Sequence, residues 1–266
     1  MLPLRDYPFA ARPMIVAHRG DTSLGARENS IEAAQAALIS GADMIELDIQ
    51  WSADEEFVCY HDVVFEPLGA EVHTLTYKEL KEAGITSLTE ILEAAKGRTY
   101  FNLEVKEYSA RDPHEFMQRL IELLTELGLA DYTLISSFRI DYLREAGWTV
   151  PTVIIHPDDE MYRFFTMRSY ADPVVLHRPL TTYLPSELLA VSRATSYACQ
   201  LSELTPDRLA DIEKYNIMLS VYTISSELDF DRAIARGARA LVCERPQEFV
   251  ALRNKRFPAI ETMPRE

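Results

Sequence analysis

The sequence predicts an α/β protein, a single-domain (β/α)8 TIM barrel. Its 266 residues match the usual length of one such barrel, and the 47% apolar content is enough for one large core. Short apolar runs alternate with amphipathic segments from Met14 to about Arg253, with no linker or fixed repeat between them. Eight strand–helix units favour a closed parallel barrel. A doubly wound sheet is the weaker alternative, because no glycine-rich dinucleotide turn follows the first strand.

The predicted barrel occupies residues 14–254, between an N-terminal extension at 1–13 and a C-terminal tail at 255–266. Apolar runs of four to seven residues that precede polar or turn residues are typical of buried parallel strands. They predict barrel strands at 14–17, 44–50, 100–106, 133–137, 152–155, 195–199, 217–223 and 240–243. Residues 57–60 are predicted to run back beside the second strand, and 174–177 form either a further strand or a loop.

Amphipathic spacing and capping residues predict the intervening helices. These helices are expected at 33–39, 77–83, 87–95, 113–127, 159–167, 187–191, 206–215 and 227–236. In the first of them Asn29 is predicted to be the N-cap, Glu32 completes a capping box, and Gly41 ends the helix.

The composition excludes several classes of partner. A net charge of −15 argues against nucleic acid and against an anionic membrane surface, because both require clustered basic residues. No uncharged stretch is long enough for a transmembrane segment, and Arg5, Asp6 and Arg12 interrupt any N-terminal signal peptide. We therefore expect a soluble, cytoplasmic protein; the sequence does not indicate its oligomeric state. Cys59, Cys199 and Cys243 lie in apolar contexts and are interpreted as buried thiols.

Carboxylates at two strand ends indicate a metal site. Glu46 and Asp48 are two residues apart on one strand, so both point into the barrel mouth, and Glu104 has the same position on the next strand. Buried carboxylates are costly unless a cation or a proton compensates them. An all-oxygen set suits Mg²⁺ or Ca²⁺ better than zinc. The alternative is pairing with Arg19 and Lys106 without any metal.

Two histidines are candidates for acid–base catalysis. His18 stands at the tip of the first strand and His61 follows another apolar run, so both can overhang the mouth. Histidine titrates near neutrality, and a pair can divide the roles of general base and general acid. Arg19 and Lys106 add positive charge. Three carboxylates with one divalent ion carry a net charge of −1, and these two basic residues bring the mouth to +1, which suits a singly charged phosphodiester. The remaining histidines are interpreted as structural: His73, His114, His156 and His177.

With these residues in place, the chain resembles the glycerophosphodiester phosphodiesterases, within the phospholipase C-like TIM-barrel phosphodiesterases. The resemblance rests on five motifs in the family's order: His18-Arg19-Gly20, Glu28-Asn29, Glu46-x-Asp48, His61-Asp62 and Glu104-x-Lys106. It implies catalytic His18 and His61, one Mg²⁺ or Ca²⁺ (with Mn²⁺ as an alternative) held by Glu46, Asp48 and Glu104, and phosphate contacts from Arg19 and Lys106. The expected reaction converts a small glycerophosphodiester to an alcohol and glycerol 3-phosphate.

Three departures concern the substrate pocket. Residues 63–75 are short where the family has a longer insertion, Tyr222 stands where a tryptophan is usual, and Glu244 and Pro246 keep the acid and proline of the last strand's motif. Tyr222 and Glu244 are therefore the predicted pocket residues. Cys243 is not expected to act as a nucleophile, because no base is marked beside it. The resemblance instead favours attack by the substrate's own glycerol hydroxyl through a cyclic 1,2-phosphate.

Alternative functions remain open at the level of sequence. The same chemistry on lipid head groups would make the chain a lysophospholipase D or a sphingomyelinase D-like enzyme. An exposed apolar rim around the site would favour this alternative. A catalytically inactive, phosphodiester-binding barrel is disfavoured by the intact histidines and carboxylates. A metal-dependent amidohydrolase is disfavoured because no His-x-His follows the first strand.

Overall fold

The computed structural model describes residues 1–9, 11–106, 112–146, 149–156 and 180–258, and its central feature is a closed parallel barrel. In chain order the strands are β1 (Met14–Ala17), β2 (Met44–Trp51), β3 (Phe57–Cys59), β4 (Val64–Phe65), β5 (Ala70–Glu71), β6 (Tyr100–Val105), β7 (Thr133–Ser137), β8 (Thr152–Ile155), β9 (Ser196–Gln200), β10 (Leu219–Ile224) and β11 (Ala240–Cys243). Eight of them pair in the order β1-β2-β6-β7-β8-β9-β10-β11, and β11 returns to β1. The predicted (β/α)8 TIM barrel is confirmed.

Helices cover the outside of the barrel. Within the described residues they are α1 (Ile31–Ser40), α2 (Tyr77–Glu82), α3 (Leu88–Ala95), α4 (Pro113–Glu126), α5 (Ile140–Ala146), α6 (Pro185–Ser192), α7 (Pro206–Tyr215), α8 (Glu227–Ala235) and α9 (Pro246–Arg256). In this part of the chain no helix combines the length and the apolar character needed to cross a bilayer. The sequence-based assignment omitted α5 and α9. The helix predicted at 159–167 and the segment 174–177, with His177, lie outside the described residues.

The start of α1 corrects the sequence-based cap. Asn29 was the predicted N-cap, but Ser30 holds that position and its side chain accepts a hydrogen bond from the Ala33 amide. Asn29 has a left-handed backbone (φ 55°), and its side chain bonds to β2 instead of to the helix. Glu32 therefore does not complete a capping box. Gly41 ends the helix in the left-handed conformation, as predicted.

Strand alternation separates the hydrophobic core from the barrel interior. All eight residues of β2 are buried, with Ile45, Leu47 and Ile49 packed against the apolar sides of α3 and α4. Truncating one such side chain to alanine costs about 2–5 kcal/mol. The intervening residues of β2 point into the barrel. The lower interior is apolar and includes Val16 and Met44, with a cavity of about 70 Å³ that extends up to Glu46 and Glu104.

A small hairpin forms one side of the mouth. It comprises β4 and β5, which pair Val64 with Glu71 directly after His61. The buried side chains of Phe65 and Val72 anchor the hairpin in a separate apolar cluster. The segment judged short from the sequence thus folds into an ordered element beside the second predicted histidine.

Candidate active site

Strands β2 and β6 bring three carboxylates together at the carboxyl end of the barrel. Asp48 pairs in register with Glu104, and Glu46 precedes Asp48 on the same face of β2. One carboxylate oxygen from each residue lies within 4.8 Å of the others. Glu46 and Asp48 are 2% and 1% exposed. The convergence expected from strand alternation is therefore observed.

The three acids occupy different electrostatic environments. Burial raises the pKa of Glu46 well above its ordinary value, and the charges of Asp48 and Glu104 raise it further. Burial also acts to raise the pKa of Asp48, but Lys106 and Arg19 together outweigh burial and leave that pKa below its ordinary value. Lys106 and Arg19 therefore stabilise the charged form of Asp48, whereas the charge of Glu46 is poorly compensated.

The donor atoms fit a divalent cation. Glu46 Oε1 is buried and has no hydrogen-bond partner among the described residues, so a buried acceptor is left over in this part of the structure. Buried polar atoms without partners are rare in proteins and are often explained by an ion. The carboxylate oxygens of Glu46, Asp48 and Glu104 are hard ligands that suit Mg²⁺ or Ca²⁺.

Asn29 clamps one of these acids, a role that the sequence analysis missed. Its Nδ2 donates to Asp48 Oδ2 at 2.9 Å, and its Oδ1 accepts from the Asp48 amide at 3.0 Å. Its own amide donates to the Arg19 carbonyl at 2.9 Å. Asn29 thus joins the loop after β1 to the centre of β2. The signal available in the sequence was the Glu28-Asn29 motif, which contributed to the resemblance, whereas Asn29 itself was interpreted only as an N-cap.

The two predicted phosphate ligands are paired with acids in this structure. The Arg19 amide donates to Glu46 Oε2 at 2.8 Å, and its Nη1 donates to both Glu28 carboxylate oxygens at 3.1 Å. Lys106 Nζ donates to Glu104 Oε1 at 2.6 Å and lies 3.4 Å from Asp48 Oδ1. Because Glu28 joins the cluster, four carboxylates face two cations, and a divalent ion would neutralise the site rather than leave it at +1.

The two predicted catalytic histidines flank the carboxylates. His18 follows β1, its amide donates to the Cys243 carbonyl at 2.9 Å, and its Nε2 lies 4.0 Å from Glu46 Oε2. Burial, assisted by Arg19, lowers the pKa of His18 to about 4. His61 follows β3, and its Nδ1 lies 2.7 Å from Asp62 Oδ1, which sets the orientation of the ring. The charges of Asp48 and of the other histidine both act on His18, so the pair shares one site.

Both predicted pocket residues lie at the same mouth. Tyr222 lines the interior cavity with His18 and Glu46, and its hydroxyl donates to the His156 carbonyl at 3.0 Å. Glu244 is exposed directly after β11, and its charge acts on His18. Cys243 is fully buried, and burial raises the pKa of its thiol. These facts agree with the expectation that Cys243 is not a nucleophile.

The barrel and the acids and histidines at its mouth define the class of TIM-barrel phosphodiesterases. The chain belongs to the glycerophosphoryl diester phosphodiesterase family, whose model matches residues 18–248. A curated glycerophosphodiester phosphodiesterase from Caldanaerobacter subterraneus subsp. tengcongensis is 25% identical over 261 residues, covering 92% of this chain and 99% of that protein. The resemblance inferred from the five motifs is confirmed, and the chain is an enzyme of this class that acts on glycerophosphodiesters.

Solved structures show the same fold. A glycerophosphodiester phosphodiesterase from Parabacteroides distasonis aligns with a TM-score of 0.74 at 21% identity, covering 91% of this chain and 97% of that chain. A phosphodiesterase from Oleispira antarctica, in complex with the product sn-glycerol-3-phosphate, aligns with a TM-score of 0.72 at 20% identity, with the same 91% and 97% coverage.

Proposed function

We propose that the chain hydrolyses glycerophosphodiesters to an alcohol and glycerol 3-phosphate by metal-dependent catalysis with a histidine acid–base pair. The observation that carries this proposal is the convergence of three carboxylates within 4.8 Å, with His18 beside Glu46 and His61 on the loop after β3. The Oleispira antarctica structure supports glycerol 3-phosphate as the product, because that related barrel binds it.

Glu46, Asp48 and Glu104 would hold the divalent cation, with Mg²⁺, Ca²⁺ or Mn²⁺ as the candidate ions. When bound, the cation would neutralise these carboxylates and polarise the phosphodiester. Two observations support this assignment. Glu46 Oε1 is buried without a hydrogen-bond partner among the described residues, and the bond from Asn29 holds the Asp48 carboxylate in a fixed orientation.

Arg19 and Lys106 would bind the non-bridging phosphate oxygens. A guanidinium carries five N–H donors, so Arg19 retains donors for phosphate after bonding Glu28. Lys106 is 4% exposed between Asp48 and Glu104, where an ammonium can stabilise charge that develops on the phosphate. Tyr222 and Glu244 would contact the remainder of the substrate.

His18 and His61 would move the protons. One histidine takes the proton of the glycerol 2-hydroxyl, whose oxygen attacks phosphorus and forms a cyclic 1,2-phosphate. The other histidine gives a proton to the departing alcohol oxygen as its bond to phosphorus breaks. Water then opens the cyclic ester with the two histidines in exchanged roles. A nucleophile from the substrate is favoured because Cys59 and Cys243, at the ends of β3 and β11, are both buried, and burial raises the pKa of each thiol.

Purified, chelated protein should be assayed against glycerophosphocholine, glycerophosphoethanolamine and glycerophosphoglycerol, with and without Mg²⁺, Ca²⁺ or Mn²⁺. Release of the alcohol together with glycerol 3-phosphate should require an added ion. His18→Ala and His61→Ala should each lower kcat by at least about 10²-fold, whereas His114→Ala, at an exposed site on α4, serves as the matched control. Full activity of metal-free protein, or of either histidine variant, would contradict the proposal.

Two exposed leucines favour a second candidate function, the lysophospholipase D reaction. Leu24, on the loop after His18, is 86% exposed, and Leu68, on the hairpin after His61, is 49% exposed. Apolar side chains on both loops would suit the acyl chain of a lysophospholipid. Release of choline from lysophosphatidylcholine should then fall in Leu24→Ser and Leu68→Ser while turnover of glycerophosphocholine is retained. Equal effects on both substrates would argue against this candidate.

A further inference from the structure

Gln50 is a buried polar residue on the metal-binding strand. It follows Glu46 and Asp48 on the inward face of β2 and is 1% exposed. A neutral amide cannot compensate the charge of the carboxylates, and an uncharged side chain of this size buried in a strand needs hydrogen-bond partners. Its partners therefore indicate what the residue does.

Both partners belong to the segment that carries His61. Gln50 Nε2 donates to the Tyr60 carbonyl at 2.7 Å and to the Asp62 carbonyl at 2.9 Å. These carbonyls lie on either side of His61 in the chain. Because carbonyl oxygens only accept, the orientation of the Gln50 amide is fixed and each of its N–H groups is used.

The two hydrogen bonds of the Gln50 side chain lie just beyond the backbone ladder between β2 and β3. The β2–β3 ladder pairs Ile49 with Cys59, and β3 ends there. The Tyr60 amide also donates to the Asp48 carbonyl at 3.1 Å. The Gln50 side chain extends the connection two residues further, to the Asp62 carbonyl, so that the His61 segment is fixed to the strand that presents Glu46 and Asp48.

We propose that Gln50 is a positioning residue that fixes His61 relative to the carboxylate cluster. This inference rests on the proposed role of His61 in catalysis. Both N–H groups of the Gln50 amide bond the Tyr60–Asp62 segment, so they are not available to the cluster carboxylates and the effect of Gln50 passes through that segment. Small displacements of a catalytic group are costly, since about 1 Å can reduce a rate 10²-fold.

The test is a double-mutant cycle with Gln50→Met, which keeps the length of the side chain and removes both donors, and His61→Ala. In Gln50→Met, kcat on glycerophosphocholine should fall about 10- to 100-fold, with KM and the Mg²⁺ dissociation constant within about threefold of wild type. In the His61→Ala background the same change should alter kcat less than about threefold. Gln118→Met, at an exposed glutamine of α4, is the matched control.

The outcomes separate the two claims. If His61→Ala retains wild-type kcat, the proposed function fails. If His61→Ala is impaired but Gln50→Met costs the same in both backgrounds, or nothing in either, the positioning role is overturned. Gln50→Leu replaces Gln50→Met if the latter does not fold, because leucine is also uncharged and cannot donate to the two carbonyls. Imidazole NMR signals give a readout without turnover: Gln50→Met should shift or broaden the His61 resonances, and unchanged resonances would also overturn the inference.

Discussion

Replacing Glu46 by glutamine is expected to stabilise the metal-free protein while weakening its affinity for a divalent cation. In the absence of metal, Glu46 is buried beside Asp48 and Glu104, and its Oε1 has no partner among the described residues. Glutamine has the same shape, removes the charge and can still accept the Arg19 amide bond made by Glu46 Oε2. The substitution therefore removes the repulsion between Glu46 and the other two carboxylates, which a bound cation or a proton would otherwise relieve.

The magnitude follows from the raised pKa. Because the ordinary pKa of the Glu46 carboxyl group is 4.5, raising that pKa can destabilise the folded state at pH 7 by at most about 3 kcal/mol, the cost of protonating the group at that pH. Weakening the bond from the Arg19 amide offsets about 1 kcal/mol of the gain. We expect a net stabilisation of about 1–2 kcal/mol for chelated Glu46→Gln protein, or about 2–8 °C in Tm for a chain of this length.

The effect of Glu46 on folding stability depends on pH. Because the folded-state pKa of Glu46 lies above its unfolded value, its unfavourable effect is absent below pH 4.5 and grows as pH rises toward neutrality. Urea unfolding of chelated protein should therefore show equal stabilities near pH 4.5 and an advantage for Glu46→Gln at pH 7. Added Mg²⁺ should stabilise wild type far more than the variant, and exposed Glu93→Gln should behave as wild type. A chelated Glu46→Gln protein that is less stable than wild type at pH 7 would show that the Glu46 charge does not destabilise the metal-free fold.

Two further predictions concern single side chains. Asn29→Gly, which suits the left-handed φ of 55°, should weaken Mg²⁺ binding about 10- to 100-fold in calorimetric titrations, because Asp48 loses its hydrogen bonds to Asn29. Asn216→Gly, at a comparable φ of 49°, should leave Mg²⁺ binding unchanged. Equal Mg²⁺ affinities in the two variants and wild type would exclude this role of Asn29. Burial, assisted by Arg208, lowers the pKa of His156 to about 3, so the free energy of unfolding decreases as pH falls from 6.5, by about 2 kcal/mol at pH 5. In urea unfolding, His156→Phe should therefore lose about 2 kcal/mol less stability than wild type between pH 7 and pH 5. An equal loss in both proteins would contradict this prediction.

Strand periodicity was sufficient to predict the barrel and the carboxylate cluster. Alternation along β2 and β6 depends on backbone geometry alone, so the inward direction of Glu46, Asp48 and Glu104 follows from their spacing. The short α5 was missed because its seven residues give too few turns for a clear periodic pattern, whereas the capping box of Thr76 and Glu79 marks the start of the comparably short α2.

Contacts between distant segments could not be predicted from local patterns. Asn29 bears every local mark of an N-cap, yet its side chain bonds Asp48, which is 19 residues away. The pairing of Arg19 with Glu28 and the bonds of Gln50 to the His61 segment likewise depend on how loops meet above the barrel. These are the residues at which long-range hydrogen bonds override local preference.

The most direct test of the central claim compares turnover of glycerophosphocholine with that of its 2-deoxy analogue by the purified, Mg²⁺-loaded enzyme. If the glycerol 2-hydroxyl attacks phosphorus between His18 and His61, removing it abolishes choline release while the analogue still binds through its phosphate to Arg19 and Lys106. We therefore expect competitive inhibition by the analogue without turnover. Comparable kcat values on the two compounds would contradict internal attack and would require direct hydrolysis by water.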